Sequence, residues 1–275
     1  MAGVRELFGR SWRLYRENPI LAVPALLLQG LGLLIALSAA LARQPEHDLS
    51  RAALVLAFVA LWLVIYFVGG NYLTAAAFGM SAAAWRVDLA TLADGVRAGA
   101  RRWWALATLW FLIVGVGTLV AVATYLVFAA AVPSEPARRA IVTHPSAALR
   151  AAVIAVALVF WFFTIYTVPA IVVGGRRALD GFVRSVTLAR KRARETVVMV
   201  IPLALVGGLL FLGGSALDGV VAHQPWTAAL AQIAAAIVEG LWGAYVTLVV
   251  TGRFLQLEDS SPQGLPAETM RPIYE

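Results

Sequence analysis

Apolar residues fall into six long stretches, approximately 20–41, 52–78, 103–132, 147–173, 196–222 and 226–251, and the short segments between them hold nearly all the charge. A helix rising about 1.5 Å per residue needs about 20 mostly apolar residues to cross a hydrocarbon layer about 30 Å thick. Each stretch meets that length. None alternates with period two, and in lipid a backbone must satisfy its own hydrogen bonds, so the pattern predicts a helical bundle and not a β-barrel. Most of the runs exceed the minimum, which predicts tilt, and Pro24, Pro169 and Pro202 predict kinks. The first run, 22 residues long, is too long for the core of a signal peptide, about 7–15 residues, and is expected to be a retained helix.

The segments between the runs carry a pattern of their own. In the first, Val4, Leu7, Phe8, Ser11 and Tyr15 share one helical face, and Glu6, Arg10, Arg13 and Glu17 the other. Such a helix suits a membrane surface, with its arginines toward anionic head groups. Phe8, Arg10, Ser11, Leu14 and Arg16 align without a gap on Phe182, Arg184, Ser185, Leu188 and Arg190. A proline follows in each copy, Pro24 and Pro202, the later one displaced by four residues, about one helical turn. A looser middle copy, Asp94-Gly95-Val96-Arg97, matches Asp180-Gly181 and the basic residue after it. Glu6, Asp94 and Asp180 are 88 and 86 residues apart, so the chain reads as three units, 1–88, 89–174 and 175–257, followed by a polar tail, 258–275. The expected fold is therefore an all-α integral membrane protein: one domain of six transmembrane helices arranged as three hairpins, each preceded by a basic amphipathic interfacial helix.

Composition and charge sharpen this picture. The 275 residues are 61% apolar and only 13% charged, where soluble proteins carry about a quarter charged residues. A net charge of +7 in a soluble chain would suggest nucleic acid, but here no nucleic-acid partner is expected, because the basic residues fall on one side of the predicted membrane. The segments before the first, third and fifth runs and after the sixth hold seventeen Lys and Arg; the opposite segments hold five. Positive residues are retained in the cytoplasm, so both termini are expected there. Arginine supplies every basic residue except Lys191 and alanine is abundant, which suggests a bacterium of high genomic GC and an inner-membrane location. The absence of cysteine removes disulfides and thiolate chemistry.

Two stretches, Arg10-Ser11-Trp12-Arg13-Leu14-Tyr15-Arg16-Glu17-Asn18-Pro19 and Val168-Pro169-Ala170-Ile171-Val172-Val173 leading into Phe182-Val183-Arg184-Ser185-Val186-Thr187-Leu188, carry a resemblance. In them the chain resembles a bacterial six-span group: the membrane domain that precedes some glycerophosphodiester phosphodiesterases, and the uncharacterised membrane families related to it. It departs from that group at Gly174 and Gly175, where a glutamate is common, and at Thr251-Gly252-Arg253-Phe254, where an acidic, aromatic end is common. The segments outside the runs are too short for a catalytic barrel and hold no cluster of acids and histidines. The resemblance thus implies a membrane module and not hydrolysis.

Residues able to carry chemistry are few. Glu239 is the acidic residue near the middle of a span, where an ionised group costs about 3 kcal/mol on insertion scales. It would be protonated, beside water, or bonded to a neutral partner such as Asn71, Ser215 or Thr247. With Asn71 it forms a candidate intramembrane polar site, read either as a proton or cation site or, preferably, as interhelical packing. His47, His144 and His223 each lie within two residues of a proline on the outer side without paired spacing, so no metal is expected. Glycine pairs such as Gly207-Gly208 and Gly213-Gly214 fit close helix packing, which is preferred to a broken helix at Gly69-Gly70-Asn71. Trp12, Trp85, Trp103 and Trp104 at one boundary, and Trp226 at the other, read as interfacial anchors. No nucleophile elbow or phosphate-cradling loop is present, so an intramembrane enzyme has no catalytic group and no cofactor is implied.

The sequence thus predicts a non-enzymatic membrane module that associates with anionic lipid, with another membrane protein, or with both. The candidate head-group contacts are Arg10, Arg13, Arg16, Arg97, Arg101, Arg102, Arg184, Arg190 and Lys191. The alternative is a permease-like subunit for a small or lipid-derived solute, using Glu239 and the glycine-rich fifth span.

Overall fold

A computed structural model describes residues 2–42, 49–131, 134, 147–221 and 225–260. Every regular element among them is helical: α1 (Ala2–Glu17), α2 (Ala22–Ala42), α3 (Leu49–Val87), α4 (Leu92–Ala131), α5 (Ala147–Thr164), α6 (Thr167–Val172), α7 (Ala178–Lys191), α8 (Ala193–Val221) and α9 (Pro225–Asp259). Five helices are long and apolar enough to cross a membrane, and a sixth crossing is reached if the bent pair 3–17 and 19–35 counts as one. The structure is compatible with a multi-pass membrane protein. Exposed Phe111, Leu119, Val156, Leu209 and Phe211 give it the apolar exterior that such a protein presents to lipid.

Each break in the helices has a local cause. Pro19 disfavours the α conformation at Asn18, whose φ of −126° and ψ of 68° end α1. A short 3-10 turn follows, and the chain bends by 97°. Pro169 has no N–H to donate to Ile165 and its ring crowds that carbonyl, so the fourth span divides between α5 and α6 just there, as the proline predicted. Pro24 falls in the first turn of α2, where a missing N–H matters little, and Pro202 lies inside α8 without interrupting it. Gly69, Gly70 and Asn71 lie within the continuous α3, in agreement with the packing reading.

One expectation is corrected at the middle unit, where α4 runs unbroken for 40 residues. Arg97, Arg101 and Arg102 therefore lie in the first turns of a membrane-length helix and not on a separate interfacial one. Thr91 and Asp94 start it as a capping box. The Thr91 N–H donates to Asp94 Oδ2 at 3.0 Å, and the Asp94 N–H donates to Thr91 Oγ1 at 3.3 Å. No proline follows within α4, and helices tolerate its isolated glycines, Gly95, Gly99, Gly115 and Gly117, so nothing stops the helix.

A second correction concerns α1. It is amphipathic, but Val4, Leu7, Ser11 and Leu14 on its apolar face are buried against protein, chiefly α9, and not presented to lipid. The equivalent face of α7, with Gly181, Ser185, Leu188 and Ala189, is buried against α6 and neighbouring helices. Gly95 and Gly181, the aligned glycines after Asp94 and Asp180, are both close-approach positions. A Cβ at Gly95 would clash with Met80 of α3, and one at Gly181 with Ile171 of α6. A third correction is that α9 continues eight residues past Thr251, so Glu258 belongs to a helix and not to a tail.

The buried core lies at the end of the bundle where α1 and α7 sit, here termed the basic end. Leu7, Leu14, Met80, Tyr166, Met199, Leu248 and Phe254 meet there. Trp85 is part of this core and not a boundary anchor. Its indole N–H donates to the Leu248 carbonyl at 2.8 Å, and its ring lies on Gly252, where any Cβ would overlap it.

Candidate functional site

Buried polar groups concentrate at the same end, in two clusters that the helix breaks create. The first surrounds the α1–α2 bend. Asn18, almost fully buried, donates from Nδ2 to the carbonyls of Leu14 at 3.1 Å and Asp88 at 3.2 Å, and accepts from the Ala90 N–H at 2.9 Å. One amide thus ties the bend to the α3–α4 turn. Asp88 holds that turn at a φ of 56°, a left-handed conformation that Asp tolerates better than most residues. Arg10 donates to the Trp85 carbonyl at 3.0 Å and stacks on its ring at 4.5 Å, and it pairs with Asp88 at 3.4 Å. Both partners of that ion pair are exposed, so it contributes at most about 1 kcal/mol, and the stacking about as much.

The second cluster surrounds the break in the fourth span. Ser185 of α7 donates to the Phe163 carbonyl at 2.7 Å and accepts from the Tyr166 N–H at 3.0 Å, satisfying two backbone groups that the interruption frees. The Tyr166 hydroxyl shares a 3.2 Å hydrogen bond with Thr196 of α8 and also faces Arg253 of α9. Arg253 pairs with Glu195 and donates to Gln256 at 3.1 Å. Arg184 donates from Nε to Glu258 Oε1 at 2.7 Å, with the arginine side chain 12% exposed and the glutamate not at all. Glu258 Oε2 is buried without a hydrogen-bond partner among the described residues. These contacts join α5, α6, α7, α8 and α9 through side chains whose charges cancel in pairs. They can hold the helices in register, and they leave no free nucleophile paired with a base.

A model described as a domain of unknown function (DUF7847) matches residues 2–257, nearly the whole chain. The chain belongs to this family. No curated protein and no solved structure matches it. The family match contains Asn18, Tyr166, Ser185, Thr196 and Arg253 and stops one residue before Glu258.

The structure does not bring Glu239 and Asn71 together in a hydrogen bond. Asn71 donates to Phe67, one turn back on its own helix, at 2.7 Å, and its side-chain carbonyl oxygen is buried without a partner among the described residues. Glu239 is half-buried on α9 with no hydrogen bond among the described residues. Its neighbour Gly240 faces α2, where a Cβ would press on Leu26. Thr247 donates to Gly243, so it also satisfies itself within one helix. The side chain of Ser215, like His47, His144 and His223, lies outside the described residues.

The nine candidate head-group residues divide into two groups. Arg10 and Arg184 are engaged as above, Arg102 donates to the Gly175 carbonyl at 3.2 Å, and Arg97 is half-buried with a partner of its own. Arg13, Arg16, Arg101, Arg190 and Lys191 are exposed. Close to Arg13 and Arg16, the rings of Trp12, Tyr15, Tyr245 and Trp242 touch in sequence across α1 and α9, and Trp12 remains 54% exposed. Tyr15 donates to the Leu241 carbonyl at 3.2 Å, and burial raises its phenol above the ordinary value.

Sequence reasoning missed Tyr166, Ser185, Thr196, Arg253 and Glu258 as a group. A signal for Glu258 was present: Ala244, Leu248, Thr251, Leu255 and Glu258 follow one another at spacings of four and three, one continuous buried face. An acid on that face requires a buried cation.

Proposed function

We propose that this chain is a non-enzymatic, multi-pass module of a bacterial inner membrane, with both termini cytoplasmic, that associates with anionic lipid and with another membrane protein. The observation that carries the reading is the sorting of charge at the basic end. Arg10, Arg102 and Arg184 make contacts within the fold, whereas Arg13, Arg16, Arg101, Arg190 and Lys191 stay exposed, the first two on the same helix as an exposed Trp12. Cations beside an indole at one end of an apolar bundle suit a layer of anionic head groups. The three-unit reading supports a scaffold role. Ser11 and Ser185 are both fully buried, Leu14 and Leu188 are both buried, and Arg10 and Arg184 are both ion-paired. We read these as equivalent positions of repeated units. The likeness to the membrane domain beside glycerophosphodiester phosphodiesterases points to the same accessory role.

Topology is tested with a reporter enzyme active only outside the cytoplasm, joined near Asp180. The expected result is an inactive fusion, and activity there overturns the orientation. A deletion strain compared with its parent for lipid composition and co-purifying proteins tests the association. No change in either removes the proposed role.

A further inference from the structure

An apolar groove of about 380 Å³ lies between α5 and α8, lined by Leu158, Phe162 and Phe163 on one side and Val197, Ile201 and Leu205 on the other. These two helices touch each other little, and the groove is open along the outside of the bundle. No polar side chain lines it. From Val197 to Leu205 it follows α8 for about 12 Å, the scale of an alkyl chain and not of a compact solute.

What stands at the basic end of this groove decides what fits it. Arg194, Val197, Ile201 and Leu205 are spaced by three, four and four residues, so Arg194 occupies the groove's own stripe one turn before its first apolar residue. Arg190 and Lys191 end α7 immediately before α8 begins. All three are exposed, and no acidic partner engages them among the described residues, whereas neighbouring Arg192 and Arg253 both pair with Glu195. The first turn of α8 adds its positive dipole end.

From this juxtaposition we propose that the α5–α8 groove seats an acyl chain of an anionic phospholipid, whose phosphate is held by Arg194 with Arg190 and Lys191. The inference rests on the reading of the chain as an anionic-lipid-associating module and names the site. An anionic head followed by an alkyl tail matches the order of charge and apolar surface along α8. A zwitterionic head would bring no net charge to three unpaired cations, and an apolar partner helix would bring none at all.

The test is native mass spectrometry of the full chain in mild detergent, titrated with phosphatidylglycerol or phosphatidylcholine of identical chains. Wild type is expected to retain one phosphatidylglycerol about tenfold or more in preference to phosphatidylcholine. Ala204→Trp, which fills the groove, is expected to lower that retention about tenfold. Ile201→Phe serves if the first variant fails to fold. Arg190→Gln/Lys191→Gln/Arg194→Gln is expected to bring phosphatidylglycerol down to the phosphatidylcholine level. Unchanged occupancy in the groove and charge variants overturns the site, as does a groove variant that changes only the oligomer mass, which would assign the groove to a second copy. If the wild type's preference disappears instead in Arg13→Gln/Arg16→Gln/Arg101→Gln, the site fails while the module reading stands. If wild type shows no preference, both fail.

Discussion

Removing one member of the Arg184–Glu258 pair leaves an ion in a place built for two. Glu258 is fully buried and Arg184 is only 12% exposed, so neither can turn to water without opening the α7–α9 contact. Breaking a buried pair costs about 3–5 kcal/mol, mostly the penalty of the stranded charge. Arg184 has a further interaction and a slightly accessible side chain, which places Glu258→Met near the lower limit, about 3 kcal/mol. At about 2–4 °C per kcal/mol for a chain of this size, the melting temperature should fall by roughly 6–12 °C. Arg184→Met strands the carboxylate and should cost at least as much. The double variant puts two apolar side chains of similar length in contact and should recover most of the loss, because an apolar pair often replaces a buried ion pair without penalty. Thermal unfolding in mild detergent, followed by the loss of the monodisperse chromatographic peak, measures all four proteins. The reasoning is refuted if Glu258→Met melts with wild type, or if the double variant loses the sum of the two single losses.

Other contacts give equally direct expectations. Asn18→Ala removes three hydrogen bonds from a buried bend and should cost about 2–3 kcal/mol in the same assay; a loss below half of that would show that water replaces the amide. Gly252→Ala drives a methyl group into the Trp85 ring and should cost about 1–3 kcal/mol, with a change in tryptophan emission as the indole shifts. Ser185→Ala unbonds the Tyr166 N–H and the Phe163 carbonyl, and should speed proteolysis or hydrogen exchange around the break before it affects the rest of the chain. For Tyr15, the raised phenol means that its contribution is complete below the ordinary phenol value and is lost as pH rises through the higher folded value. Tyr15→Phe should therefore show a shallower alkaline loss of stability than wild type, measured from melting temperatures across that range.

The long apolar helices were legible in the sequence because runs such as 103–132 hold few charges and no helix-breaking proline until their ends. The places where the chain breaks were legible only in part. Asn18-Pro19 and Pro169 announce their breaks through backbone chemistry. The continuity of α4 was obscured because resemblance among the three units suggested a separate middle helix, while its local sequence favours continuation. The covering of α1 was hidden for a related reason. A face of Val4, Leu7 and Leu14 is equally suited to lipid and to a neighbouring helix, and only the arrangement of α9 decides between them. The polar clusters were least visible, since Tyr166, Ser185, Thr196, Arg253 and Glu258 are scattered over more than 90 residues. Charge was read as topology, a reading that leaves out that Arg253 and Arg184 are held inside by Glu195 and Glu258.

The burial of α1 against α9 also sets a sequence of events during synthesis. The first of the described helices to be made has an apolar face whose cover, the helix of Tyr245 and Leu248, is the last of them. Until that helix is made, Val4, Leu7 and Leu14 lack the cover they have in the finished fold. Arrival of α9 covers the apolar face of α1 and, by the same step, delivers Arg253 and Glu258 to Glu195 and Arg184. A chain stopped before α9 would leave the apolar face of α1 uncovered and both ion pairs unmade.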